Sequence, residues 1–205
     1  MSTRVKICGL TSLEDAMAAV AAGADALGFV LADSPRQLRP DQVRHIVAQL
    51  PPLVVTVGVF VNAAVAEVQN VRDFCGLDMV QLHGPANQAA DRLLGGPRRV
   101  IRVVSVGLDQ APDPAAHPEA AMLLDAKVQG LAGGTGKTFD WPLALAVAQS
   151  RPIILAGGLN PDNVRLAIQT VKPFAVDVSS GVEAQPGRKD HAKLARFIQN
   201  ARAAL

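Results

Sequence analysis

Hydrophobic and polar positions along this chain switch between two periods, and the switch repeats from end to end. Short apolar runs of strand length alternate with longer stretches that carry an apolar stripe at helical spacing, and glycine, proline or a capping side chain stands at the boundaries. The runs predict strands at 5–7, 26–31, 54–62, 79–83, 100–106, 121–125, 152–156 and 175–179. Between them, Ser12 can cap a helix reaching Ala22, with Leu13, Ala16, Met17 and Val20 on one stripe and Gly23 as its stop. Further helices are expected from Pro40 to Leu50, up to Cys75 with Gly76 as cap, over 87–94, from Trp141, and from Asp190. The Pro-rich stretch 110–118 predicts only a short or degraded helix.

Helix-to-strand junctions echo one another, as in Ala22-Gly-Ala-Asp-Ala-Leu27 and Cys75-Gly-Leu-Asp-Met-Val80. Repeated βα units imply a parallel sheet with right-handed helical crossovers. Eight units of roughly 25 residues fill the chain, which predicts an α/β fold: a single (β/α)8 barrel domain spanning residues 1–205.

Composition narrows the partners. Hydrophobic residues make up 49% of the chain, enough for a large core, yet no apolar run approaches the ~20 residues of a membrane span and no signal-peptide pattern opens the sequence. The expected home is the cytoplasm, with no membrane contact. Cys8 and Cys75 have no spacing for a disulfide framework or a zinc site, so no metal is expected. A net charge of +2 and seven aromatic residues, six Phe and one Trp, argue against nucleic acid. What remains is a small polar ligand.

In a barrel the chemistry gathers at the carboxyl ends of the strands. Those positions here are Cys8, Asp33 to Arg36, Asn62, His83, Asp125, Gly157-Gly158 and Ser179-Ser180-Gly181. A buried structural role is the commonest fate of a free cysteine. Strand parity, however, puts Cys8 on the same inward face as Lys6, and a cation beside a thiol is costly for a mere core. Lys6 then requires a counter-charge, for which Asp177 on strand 8 is the candidate, and its field should favour thiolate. Asp125 shares a face with Leu123 and so ends an inward row, where desolvation would raise its pKa. A cap or a salt bridge is the plainer role for it; thiol and carboxyl across a barrel mouth would make a base and an acid.

Two glycine-bearing loops, Ala156-Gly-Gly-Leu-Asn160 and Asp177-Val-Ser-Ser-Gly-Val-Glu183, follow strands 7 and 8, where barrels commonly hold phosphate. Gly157, Gly158, Ser180 and Gly181 would present backbone N–H groups to the anion. A rival is Gly133-Gly-Thr-Gly-Lys-Thr138, which ends like a nucleotide-binding loop. That pattern needs glycine five positions before the Gly of Gly-Lys-Thr, and Leu131 stands there instead, so a glycine-rich lid over the barrel mouth is the better reading.

Together, Lys6-Ile-Cys-Gly-Leu-Thr11, Ser34-Pro-Arg36, Val57-Gly-Val-Phe-Val-Asn62, Val80-Gln-Leu-His-Gly84, Leu123-Leu-Asp125, Gly133 to Trp141, Leu155-Ala-Gly-Gly-Leu159 and Asp177 to Glu183 resemble the phosphoribosylanthranilate isomerase family of tryptophan biosynthesis. The chain departs from that family at Gln37-Leu-Arg39, where an aromatic residue, a valine and a serine are commoner. The resemblance implies an Amadori rearrangement of N-(5-phosphoribosyl)anthranilate to 1-(2-carboxyphenylamino)-1-deoxyribulose 5-phosphate. It makes Asp125 the general acid that opens the ribose ring and Cys8 the general base that takes the C2 proton. Arg36 would face the anthranilate carboxylate, and Gln81 and His83 would also bind substrate. No cofactor is implied, and a monomer or homodimer is expected. A barrel that only binds phosphosugars would be expected to lack Cys8 or Asp125, and related histidine-pathway isomerases resemble this chain in fold but use two aspartates.

Overall fold

Eight parallel strands close on themselves in chain order, each hydrogen-bonded to the next and β8 to β1. They are β1 (Arg4–Ile7), β2 (Ala26–Val30), β3 (Val55–Val61), β4 (Met79–His83), β5 (Val100–Ser105), β6 (Ala121–Asp125), β7 (Ile153–Ala156) and β8 (Ala175–Val178). This computed structural model describes residues 3–85, 87–105, 113–125 and 141–204. The helices are α1 (Leu13–Ala21), α2 (Pro40–Val47), α3 (Val65–Cys75), α4 (Gln88–Leu93), α5 (Trp141–Ser150), α6 (Val164–Val171) and α7 (His191–Arg202). All eight expected strands form, with ends differing by at most one residue; Val106, the expected end of strand 5, lies outside the described residues.

The packing has two shells. Val57, Ile101, Leu123 and Ala156 fill the barrel interior, while Val5, Ile7, Leu27, Phe29, Met122, Leu124 and Leu155 point outward under the helices. Such alternation follows from the two-residue repeat of a strand and fixes which residues reach the barrel axis. The expected stripe on α1 is displaced: Ala16 and Ala19 are buried, whereas Met17 is 41% exposed. Small side chains on the packed face let this helix lie close to the barrel, which leaves the longer Met17 outside.

The echoed junctions have a physical role. Asp25, just before β2, accepts the backbone N–H of Val5 on β1 at 2.8 Å, and Asp78, just before β4, accepts that of Thr56 on β3 at the same distance. Each carboxylate thus satisfies a donor at the amino end of the preceding strand. Helix 2 shows how the chain accommodates its departure at 37–39. Arg39 stands where a serine oxygen would cap the helix; the Gln42 side chain instead accepts the Arg39 N–H at 2.9 Å, and Pro40 opens the helix without needing a partner.

One feature escaped the hydrophobic pattern. After β8 the chain makes a single 3-10 turn over Ser180–Val182 and then a short antiparallel hairpin, β9 (Glu183–Gln185) and β10 (Arg188–Lys189). Its tip, Gly187, has φ +81 and sits beside Thr11, whose hydroxyl donates to the Gly187 carbonyl, and beside the carbonyl of Pro35.

Candidate active site

Cys8 follows β1 directly, and its N–H extends the ladder by bonding Val178 O at 2.8 Å. The thiol is buried. One layer below it, Lys6 Nζ donates to Asp177 Oδ1 at 2.9 Å, and the two residues face each other in register across β1 and β8. The parity expectation for Lys6 therefore holds. Gly28 on β2 makes the arrangement possible: a Cβ there would lie 2.8 Å from Cys8 Sγ and 3.1 Å from Lys6 Nζ.

The expected pull of Lys6 toward thiolate is present, but it does not prevail. Burial pushes the Cys8 thiol up from its ordinary value, and the opposing pull of Lys6 is insufficient, partly because Asp177 works in the other direction. Lys6, by contrast, is held above the usual lysine range: burial disfavours its charge, but Asp177 and Cys8 outweigh that cost.

Asp125 ends β6 half-buried, opposite Ser105 on β5 and Ala156 on β7. It occupies the same inward row as Leu123, so acid and thiol both stand at the carboxyl rim of the barrel. On β4, Gln81 is buried and its Nε2 lies 3.1 Å from His83 Nε2. Gln81 Oε1 is buried with no hydrogen-bond partner among the described residues. A buried acceptor left in that state can take a donor from a ligand.

The loops after β7 and β8 meet through their backbones. Gly157 and Gly158 have φ +86 and +65, values that favour glycine. Asn163 holds this loop, donating from its side-chain amide to Gly158 O at 3.0 Å and accepting the Asn160 N–H at 2.8 Å. Opposite, Gly181 presses on Leu159 so closely that a Cβ would fall on the Leu159 carbonyl oxygen. The first N–H groups of a helical turn have no partner within it, so the Ser180–Val182 turn and the glycine loop together are suited to an anion.

Arg36 has a partner that the strand positions did not suggest. Its guanidinium is already engaged: Nε and Nη2 donate to Glu183 Oε1 and Oε2 at 2.7 and 2.6 Å. The side chain passes over Gly9, whose φ of +72 and missing Cβ leave the space. Glu183 in turn accepts from Lys189 Nζ at 3.0 Å, and the same ammonium donates to Cys8 O at 2.7 Å and Ser179 O at 3.2 Å. Burial disfavours charge on Glu183, but Arg36 and Lys189 prevail and hold its carboxyl below the usual range. Reading by strand ends missed Glu183 and Lys189 because they lie on the hairpin beyond β8. Two close-set charges in a segment that closes a barrel were the available signal.

The glycine-rich segment 133–138, with Lys137, lies outside the described residues. Among the described residues no group of three or more His, Cys, Asp and Glu could hold a metal, and no helix is long and apolar enough to cross a membrane.

A closed (β/α)8 barrel with a thiol, a carboxylate and glycine-walled loops on its carboxyl rim defines a barrel protein of the strand-end type. The family model described as N-(5'phosphoribosyl)anthranilate (PRA) isomerase matches residues 5–200. The N-(5'-phosphoribosyl)anthranilate isomerase of Geobacter metallireducens is 52% identical over 202 residues, covering 98% of this chain and 99% of that protein. The crystal structure of phosphoribosyl anthranilate isomerase from Thermotoga maritima superposes with a TM-score of 0.87 at 46% identity, over 97% of this chain and 98% of that one. A structure of the isomerase in complex with reduced 1-(o-carboxyphenylamino)-1-deoxyribulose 5-phosphate gives a TM-score of 0.83 at 44% identity, over the same shares. The chain belongs to the PRA isomerase family.

Proposed function

We propose that the protein catalyses the Amadori rearrangement of N-(5-phosphoribosyl)anthranilate to 1-(2-carboxyphenylamino)-1-deoxyribulose 5-phosphate, the isomerisation step of tryptophan biosynthesis. The observation that carries this is the placement of Cys8 and Asp125 at the ends of inward rows on one rim of the barrel. Asp125 protonates the ribose ring oxygen, the bond from that oxygen to C1 breaks, and the anilino nitrogen becomes an iminium. Cys8 then removes the proton at C2 to leave an enolamine. Tautomerisation adds a proton at C1 and removes one from the C2 hydroxyl, giving the ketone. Oxidation at C2 balances reduction at C1, so no external electron acceptor is involved.

The upward shift of the Cys8 thiol fits this order of events. Once the ring is open, the iminium sets a positive charge one bond from C2, and a nearby cation favours thiolate. Lys6 adds to that pull, and the substrate itself completes the activation. The phosphate is held by backbone N–H groups of Gly157, Gly158, Ser180 and Gly181. Arg36 receives the anthranilate carboxylate as a planar donor, and Gln81 and His83 contribute hydrogen bonds to the sugar.

Both cysteines are free thiols, which suits a reducing compartment, and we place the protein in the cytoplasm as a monomer or homodimer. The test of the reaction is turnover in D2O. Freshly made substrate should disappear, and the product should carry one solvent-derived deuteron at C1. Substrate decaying only at its spontaneous rate, or an unlabelled product, would contradict the proposal.

A further inference from the structure

We infer that Glu183 and Lys189 are positioning residues that fix the orientation of Arg36 for the substrate's carboxylate. The inference rests on the reading of Arg36 given above. A guanidinium offers two edges that can meet a carboxylate, Nε with Nη2 and Nη1 with Nη2. Glu183 occupies the first with both oxygens. A second carboxylate must therefore come to the other edge, and the exposures agree: the Arg36 side chain is 21% exposed and that of Glu183 only 5%.

Lys189 fixes Glu183. Its ammonium has three hydrogens and three acceptors, namely Glu183 Oε1, Cys8 O and Ser179 O. Its side chain is fully buried. The last two acceptors are backbone atoms at the ends of β1 and β8, so the guanidinium is referenced to the strand bearing the thiol and to the start of the second glycine loop. The hairpin carrying both residues is anchored in turn: Asp15 on α1 accepts the Lys189 N–H at 3.0 Å and lies 2.8 Å from His191 Nε2. A flexible arginine on an open loop becomes a rigid donor, and the substrate need not order it on binding.

The test compares Glu183→Gln, Arg36→Ala and the double variant on two substrates, the natural one and the N-phenyl ribosylamine 5-phosphate that lacks the carboxylate. Glu183→Gln keeps an acceptor for Lys189 and is checked for folding by thermal denaturation. It should raise KM for the natural substrate about tenfold, the scale of one unfrozen side chain, with kcat changed less than twofold. It should add nothing in the Arg36→Ala background and have no effect on the carboxylate-free substrate. Glu183→Asp, which keeps the charge but withdraws it by one methylene, should raise KM by a smaller factor. Multiplying effects in the double variant, a loss confined to kcat, or wild-type KM in both Glu183 variants would overturn the inference. An Arg36→Ala penalty equal on both substrates would instead remove the reading of Arg36 on which it stands.

Discussion

Lys6 and Asp177 form an ion pair of 2.9 Å inside the barrel, facing each other across β1 and β8, one layer beneath Cys8. Both side chains are more than nine-tenths buried. Such a pair contributes little net stability when whole and costs heavily when broken, because the survivor keeps an uncompensated charge. Lys6→Met should therefore destabilise the fold by roughly 3–5 kcal/mol, and Lys6→Met with Asp177→Leu should recover much of that loss. The pH sign follows from the raised Lys6 pKa. Its contribution is complete below the unfolded lysine value and disappears only as pH rises through the higher folded one. The difference between wild type and Lys6→Met should thus persist through neutral pH and shrink in strong alkali. In kinetics, the ascending limb of kcat/KM assigned to Cys8 should move upward in Lys6→Met. Denaturation curves and a pH profile check both; no change in either would show that the pair does not act on the thiol.

Acid–base and binding roles separate in the kinetic constants. Cys8→Ala should lower kcat by about 10²–10⁴-fold with a much smaller change in KM, as for a lost general base. Arg36→Ala should chiefly raise KM, because the carboxylate it meets does not change charge during the reaction. Equal losses of kcat in the two variants would mean that these roles are assigned wrongly.

Gly181→Ala tests the phosphate loops. The new Cβ would fall on the Leu159 carbonyl, a backbone atom that cannot swing aside, so the two loops must part. The expected costs are about 1–3 kcal/mol of stability, as for overpacking, and weaker inhibition by inorganic phosphate. Unchanged phosphate inhibition in a folded variant would place the anion elsewhere.

Glu183 should leave a trace in acid. Its folded pKa lies below the ordinary 4.5, so its ion pairs stabilise the protein above that value and are lost as pH falls through the folded one. The gap in Tm between wild type and Glu183→Gln should accordingly be wide at neutral pH and narrow below about pH 4.5. A gap independent of pH would argue that packing, not charge, holds the hairpin.

Strand positions were legible in the sequence because the two-residue period and the glycine punctuation are local signals, and eight repeats leave one simple closure. The Lys6–Asp177 pair was legible for the same reason: parity assigns both residues to the interior, and β8 must return beside β1. What sequence could not settle was a balance of magnitudes. Lys6 does pull Cys8 toward thiolate, but burial, which no local pattern reports, pulls harder. Nor could it show that Arg36 reaches a residue 147 positions away, since that contact depends on how the hairpin after β8 folds back over Gly9.

That the Asp125 carboxylate and the Cys8 thiol carry out the rearrangement is checked by following the fluorescence of freshly prepared N-(5-phosphoribosyl)anthranilate with wild-type protein and with Asp125→Asn. Wild type should consume it rapidly, and a folded Asp125→Asn at a rate at least about 10²-fold slower. Equal rates for the two proteins, or wild type no faster than the substrate's spontaneous decay, would contradict that assignment.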